Sequence, residues 1–113
     1  MWNILLTSEF EEWFTDLNEI QKADLIASLA LLREFGPMLR RPHSDSIKGS
    51  KINNLKELRT QSQGLPLRSF YCFDKNQIGI VFCGGNKKGK DKIFYNQMIN
   101  LAEKLHDQYI DTL

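Results

Sequence analysis

The stretch LKELRTQSQGLPLRSFYCFDKNQIGIVFCGG, residues 55–85, decides the fold. In its first run Leu55, Glu57 and Arg59 alternate with Lys56, Leu58 and Thr60, the period of two that a strand requires. In LRSFYCFD, Arg68, Phe70 and Cys72 share one face, and QIGIVFCGG reads as a third strand. A loop around Gly64 and Pro66, spanning residues 61–66, joins the first two, and a tight turn at Asp74-Lys75-Asn76 joins the next. This spacing sets Arg59 almost opposite Arg68. Like charges in that position are destabilising unless something anionic lies between them. Glu57 fills the need in one reading, a surface ion-pair cluster of little energetic weight. In the other, the two guanidiniums form an anion site.

Outward from this core, WNILLT near the N-terminus reads as a short strand. Ser8 stands three residues before Glu11, a capping-box spacing that opens a helix through Phe10, Trp13, Phe14 and Leu17. Asn18 and Gln21 repeat the device for a second helix, Ile20 to Phe35, whose broad apolar face predicts a largely buried element. Gly36-Pro37 stops it, and the two helices form a hairpin. The connection MLRRPHSDSIKGSKINN is polar and turn-rich. On the C-terminal side, GGNKKGKDKIFY (Gly84–Tyr95) is a lysine-rich loop, and Phe94, Met98, Leu101, Leu105 and Tyr109 mark the stripe of a last helix, with Ala102 beside it. The predicted class is α+β, in the order β-α-α-β-β-β-α: an N-terminal helical hairpin and a C-terminal helix packed on a small antiparallel sheet.

At 113 residues the chain is expected to form one domain over residues 1–113. With 42% hydrophobic and 26% charged residues it falls in the globular class, not the disordered one. The opening MWNILLTSEFEEWF has a short apolar patch with no basic flank and acids directly behind it. No secretion signal or membrane span is expected, and a cytoplasmic location is the default. Cys72 and Cys83 lie in apolar runs and read as reduced core residues.

The net charge of +1 conceals an asymmetry. Residues 1–34 carry seven acids and two bases, a net −5, whereas residues 40–92 carry twelve bases and four acids, a net +8. A basic half of this kind fits a polyanion. Rival chemistries have little support. His43 and His106 sit in unrelated contexts, no spacing resembles a metal site, and Gly84-Gly85 lacks the P-loop order. Neither a metal nor a cofactor is expected.

The segments FGPMLRRP, IKGSKINNLKELR, PLRSFYCFD and GGNKKGKDKIFYNQMINLAEKL, in that order, resemble the HigB-like branch of the RelE/ParE toxin superfamily across nearly the whole chain. The resemblance implies the toxin of a type II toxin–antitoxin pair, one that cleaves messenger RNA in the ribosomal A site until a cognate antitoxin caps it, with a toxin–antitoxin hetero-oligomer as the held state. The superfamily also contains DNA gyrase poisons, so the fold alone does not select the target. A gyrase inhibitor and a non-catalytic RNA-binding domain are the alternatives. By residue, the resemblance marks strand arginines Arg59 and Arg68, loop lysine Lys87 and the aromatic Tyr95 as catalytic. The sequence departs from the branch at Lys88, where a small polar residue is common.

Cleaving RNA without a metal requires a base for the 2′-hydroxyl, charge to neutralise the phosphorane, and an acid for the leaving 5′-oxygen. Arginine suits the middle task, with Arg68 first and Arg59 assisting. Lys87 is the expected base, if neighbouring cations depress it, and Tyr95 is expected to stack on a base or relay a proton. Lys48, Lys51, Lys88, Lys90 and Lys92 are expected to bind RNA phosphates, and the glycines to let the backbone approach the RNA.

Overall fold

A computed structural model describes residues 1–111. Its centre is the hairpin of β3 (Lys56–Ser62) and β4 (Leu65–Phe73), antiparallel, with Arg59 directly opposite Arg68. The connection is tighter than the sequence implied. Only Gln63 and Gly64 lie between the strands, both at positive φ (53° and 79°), the conformation of a two-residue hairpin turn that follows the strand twist. Pro66 is therefore a strand residue paired with Gln61, not part of a loop.

β4 continues into β5 (Gly79–Asn86) through a turn that Asp74 organises, its carboxylate accepting from the amides of Asn76 and Ile78. The register slips between Phe70↔Cys83 and Tyr71↔Val81, leaving Phe82 without an opposite residue. This bulge explains why Phe82 and Cys83, neighbours in sequence, join the same core cluster.

Two further strands complete a five-stranded sheet in the order β1-β5-β4-β3-β2. β1 (Ile4–Leu6) pairs with β5 in parallel, so the sheet is mixed where an antiparallel one was expected. A three-residue strand carries no local signal of its direction. Its anchor is distant in sequence: the Thr7 amide donates to the Val81 carbonyl and the Thr7 hydroxyl to that of Phe82. β2 (Ser44–Ser46) lies inside the long polar connection, where the sequence predicts no strand.

The helices cover both faces. α1 (Ser8–Thr15) is capped by Thr7, whose hydroxyl accepts from the Phe10 amide; the expected cap, Ser8, is the first helical residue. Thr7 has extended backbone and ends β1 as it opens the helix. α2 (Glu19–Phe35) has the expected capping box, with Asn18 and Gln21 exchanging both bonds at 2.8 and 3.0 Å. It is less buried than its composition implied: Leu25 and Leu32 are sealed, whereas Ile20 and Ile26 are 55% and 56% exposed. One face of α2 meets the sheet, and Ile20 and Ile26 stand away from it.

Phe10, Leu25, Leu32, Leu58, Tyr71 and Val81 fill the layer under the helical hairpin. Leu55, Phe70, Phe82, Phe94, Ala102 and Leu105 fill the opposite layer, under α3 (Asp91–Asp111). Each fully buried side chain of this size contributes about 1.5–3 kcal/mol. The paired glycines of β5 set the spacing of the layers. A Cβ on Gly84 would stand 2.4 Å from the Trp13 ring of α1, and one on Gly85 2.8 Å from the Phe94 ring of α3. They admit the helices on the two faces. The expectation that they admit RNA gives way to this packing role.

Candidate active site

β3 presents Glu57 and Arg59 on the α3 side of the sheet, β4 adds Arg68 across the pair, and the first turns of α3 lower Tyr95 onto them. Glu57 is the common partner. Its Oε2 accepts from Arg59 Nε and Nη2 at 3.2 and 3.1 Å, and its Oε1 accepts from the Tyr95 hydroxyl at 2.5 Å. Arg68 Nε lies 3.5 Å from Glu57 Oε1, within ion-pair range but without a hydrogen bond. The carboxylate thus lies between the two facing guanidiniums and reduces their mutual repulsion.

This cluster is not the surface feature that one reading of the sequence offered. Glu57 is 3% and Arg68 8% exposed, so the attraction between them acts largely out of water. Arg68 Nη1 donates to the Leu67 carbonyl, but its Nε is a buried donor with no acceptor, an arrangement that normally costs about 1–3 kcal/mol. Arg59 is more open and extends the network outward. Its Nη2 also reaches Asp45 Oδ2 on β2 at 3.3 Å, and Arg41 holds the same oxygen from the preceding loop at 2.6 and 3.0 Å. The hydrogen bond from Arg41 lowers the pKa of Asp45. Three arginines therefore share two carboxylates, and the basic character read from residues 40–92 is partly neutralised here.

Tyr95 divides its roles. The ring packs edge-on against Phe70 and Phe94, as a core aromatic would, while the hydroxyl donates to Glu57. Burial first, then the hydrogen bond and charge of Glu57, push the phenol up to about 12, with Arg68 opposing. It is a proton donor throughout the neutral range.

The lysines do not converge as one group. Lys87 continues the sheet, its amide donating to the Pro66 carbonyl, and its ammonium lies 5.8 Å from the Tyr95 ring centre in a cation–π contact. Lys88, Lys90 and Lys92 are exposed around the start of α3, on the rim beside Tyr95. Lys48 and Lys51 belong to the loop leading into β3 at its other end. That loop is tied down where Glu103 accepts from the Lys51 amide and the Ser50 hydroxyl. Glu103 is eight residues along α3 from Tyr95, about 12 Å, so this pair stands apart from the arginines.

In the sequence Glu57 reads only as an ion-pair partner, Arg41 only as one of the bases of the long connection, and Asp45 carries no signal of its own. Glu57 shares a strand face with Arg59, and that was the available signal. Its burial was not available, because it depends on α3 closing over the site.

The comparisons with known proteins bear on the family and the fold. The model of a family described as phage-derived protein Gp49-like matches residues 12–107. The chain is 32% identical over 107 residues to the Mycobacterium tuberculosis protein named "Putative toxin HigB3", covering 95% of this chain and 92% of that one. To the HigB2 protein of the same organism it is 31% identical over 99 residues, 87% of this chain, and it spans about half (49%) of that relative's length. Among solved structures, a double-arginine mutant of the Escherichia coli toxin RelE in the free state superposes with a TM-score of 0.57, covering 80% of this chain and 87% of that one. The archaeal RelE–RelB complex of Pyrococcus horikoshii gives 0.60 over 78% and 97%. At 11% identity in both cases, these two show the fold alone.

Proposed function

The chain belongs to the Gp49-like family, as a HigB-like member of the RelE/ParE toxin superfamily, and on that premise we propose that it is a toxin acting as a metal-independent endoribonuclease on messenger RNA at the ribosome. The observation that carries the proposal is Glu57, a buried carboxylate held between Arg59 and Arg68 with the Tyr95 hydroxyl upon it. Charge stabiliser and base then lie within one hydrogen-bonded group, and the Lys87 ammonium stands over the Tyr95 ring beside it.

In this mechanism the scissile phosphate docks on the arginines. Its oxygens take the solvent-facing side of Arg59 and the part of Arg68 that lines the cleft. Glu57 takes the proton of the 2′-hydroxyl as that oxygen attacks phosphorus. This role falls to Glu57 in preference to Lys87, because the carboxylate touches both phosphate-binding side chains while the Lys87 ammonium lies over the Tyr95 ring. The P–O5′ bond breaks, and the departing oxygen receives a proton from Lys87. A 2′,3′-cyclic phosphate and a 5′-hydroxyl result. Tyr95, kept protonated, orients Glu57. Lys88, Lys90 and Lys92 grip flanking phosphates without reading sequence.

A protein of this activity needs an inhibitor, and the proposed partner is a cognate antitoxin that covers the arginine site. Primer extension on total messenger RNA after brief induction tests the reading, with new 5′ ends within codons expected. Growth arrest with intact messages and poisoned DNA gyrase would replace it with the inhibitor alternative.

A further inference from the structure

The sheet has an opening beside the arginines. β2 pairs with β3 only as far as Ser44↔Leu58, and a last edge bond joins the Arg59 amide to the His43 carbonyl. The chain before it bends away in a turn where the His43 and Ser44 amides both donate to the Arg40 carbonyl. β3 runs on to Ser62, so its final residues have no outer neighbour strand among the described residues. The result is an open cleft of about 480 Å³ between α2 and this uncovered edge, within the ~300–1,000 Å³ range of small-molecule sites. Arg59 and Arg68 line it too, so the cleft is continuous with the proposed phosphate site.

The other lining groups have the chemistry of a base site. Ala27 and Leu31 form an apolar wall on α2, and the exposed Pro42 and His43 supply surfaces on which an unstacked base can lie. Thr60 is already engaged with Ser28 at 2.7 Å, which leaves the edge polar groups to Gln61 and Asp24. Asp24 makes no ion pair among the described residues, and a carboxylate only accepts. Guanine is the base that offers two N–H donors side by side on its Watson–Crick edge, with a carbonyl acceptor for the Gln61 amide.

We infer that this cleft binds the nucleobase attached to the scissile phosphate, that it favours guanine, and that Asp24 and Gln61 determine the preference. The inference rests on the nuclease reading, and it can fail while that reading survives.

The test titrates the full-length protein with guanosine 3′-monophosphate, cytidine 3′-monophosphate and inorganic phosphate, following backbone amide shifts. Guanosine 3′-monophosphate is expected to move Gln61, His43 and Asp24 together with Arg59, while inorganic phosphate moves the arginine strands alone. Asp24→Asn and Gln61→Ala should each weaken the guanine nucleotide about tenfold and leave inorganic phosphate unchanged. On ribosome-bound messages the same variants should keep cutting but spread their cuts over other bases. Equal affinities and equal shift patterns for all three probes, or an unchanged cut-site distribution in both variants, would overturn the base site and leave the nuclease intact. A wild-type protein that cuts no message removes both.

Discussion

Glu57 touches three members of the proposed site, so its substitutions separate structure from chemistry. Glu57→Ala leaves the charge of Arg68 without its buried counter-ion and should lower unfolding stability by about 3 kcal/mol in urea titration. A loss of a few tenths would mean the pair behaves as a surface one. Arg68→Ala should destabilise as well. At 8% exposure this arginine is largely buried although it lines the cleft, so lost activity in that variant is informative only beside a folding measurement. Tyr95 supplies a pH test. Its folded pKa of about 12 lies above the ordinary tyrosine value of about 10, so its contribution is complete below pH 10 and fades as pH rises through 12. Thermal midpoints of the wild type should therefore approach those of Tyr95→Phe across that interval; a constant gap would contradict the upward shift that burial and Glu57 impose together. The Arg59–Arg68 juxtaposition was legible in the sequence, because a loop placed over residues 61–66 has the same centre as the tighter Gln63-Gly64 turn and so sets the same register. The depth of Glu57 was not, because strand alternation names a face without saying what covers it.

β5 carries its information in Gly84 and Gly85, which a sequence reader assigns to a ligand loop and the fold assigns to packing. Gly84→Ala should cost about 1–3 kcal/mol by pressing on Trp13, and Gly85→Ala a similar amount through Phe94. Chemical denaturation checks both, and a neutral Gly84→Ala would show that the hairpin yields. Gly85→Ala should also disturb the site, since Phe94 and Tyr95 are adjacent on α3. Three helices and four of the five strands were readable from periodicity, and the Asn18–Gln21 box marked the α2 start correctly. The direction of β1, the short β2 and the exposure of α2 were not. Each depends on a partner distant in the chain, or on the absence of one, and a local pattern carries neither.

The halves of the molecule differ in charge, acidic through residues 1–34 and basic through 40–92; of the lysines in the basic half, Lys87, Lys88, Lys90 and Lys92 stand around the start of α3, whereas Lys48 and Lys51 lie in the loop tied to Glu103. RNA bound at the arginines should therefore feel Lys90 more than Lys51. Lys90→Ala should reduce the salt slope of ribosome or RNA association by about 0.7–0.9, and Lys51→Ala by less. Equal reductions would place the RNA path along the whole helix. An acidic inhibitor segment would be repelled by the hairpin and drawn to the arginine side, the face the antitoxin is proposed to cover. All of this presupposes chemistry at Glu57, and single-turnover cleavage of a ribosome-bound message by saturating wild-type protein and Glu57→Gln tests it most directly. The account predicts that the wild type cuts, and that the folded variant binds equally but cuts about 10²–10⁴-fold more slowly. A variant that cuts at the wild-type rate, or a wild type that leaves the message whole, would contradict it.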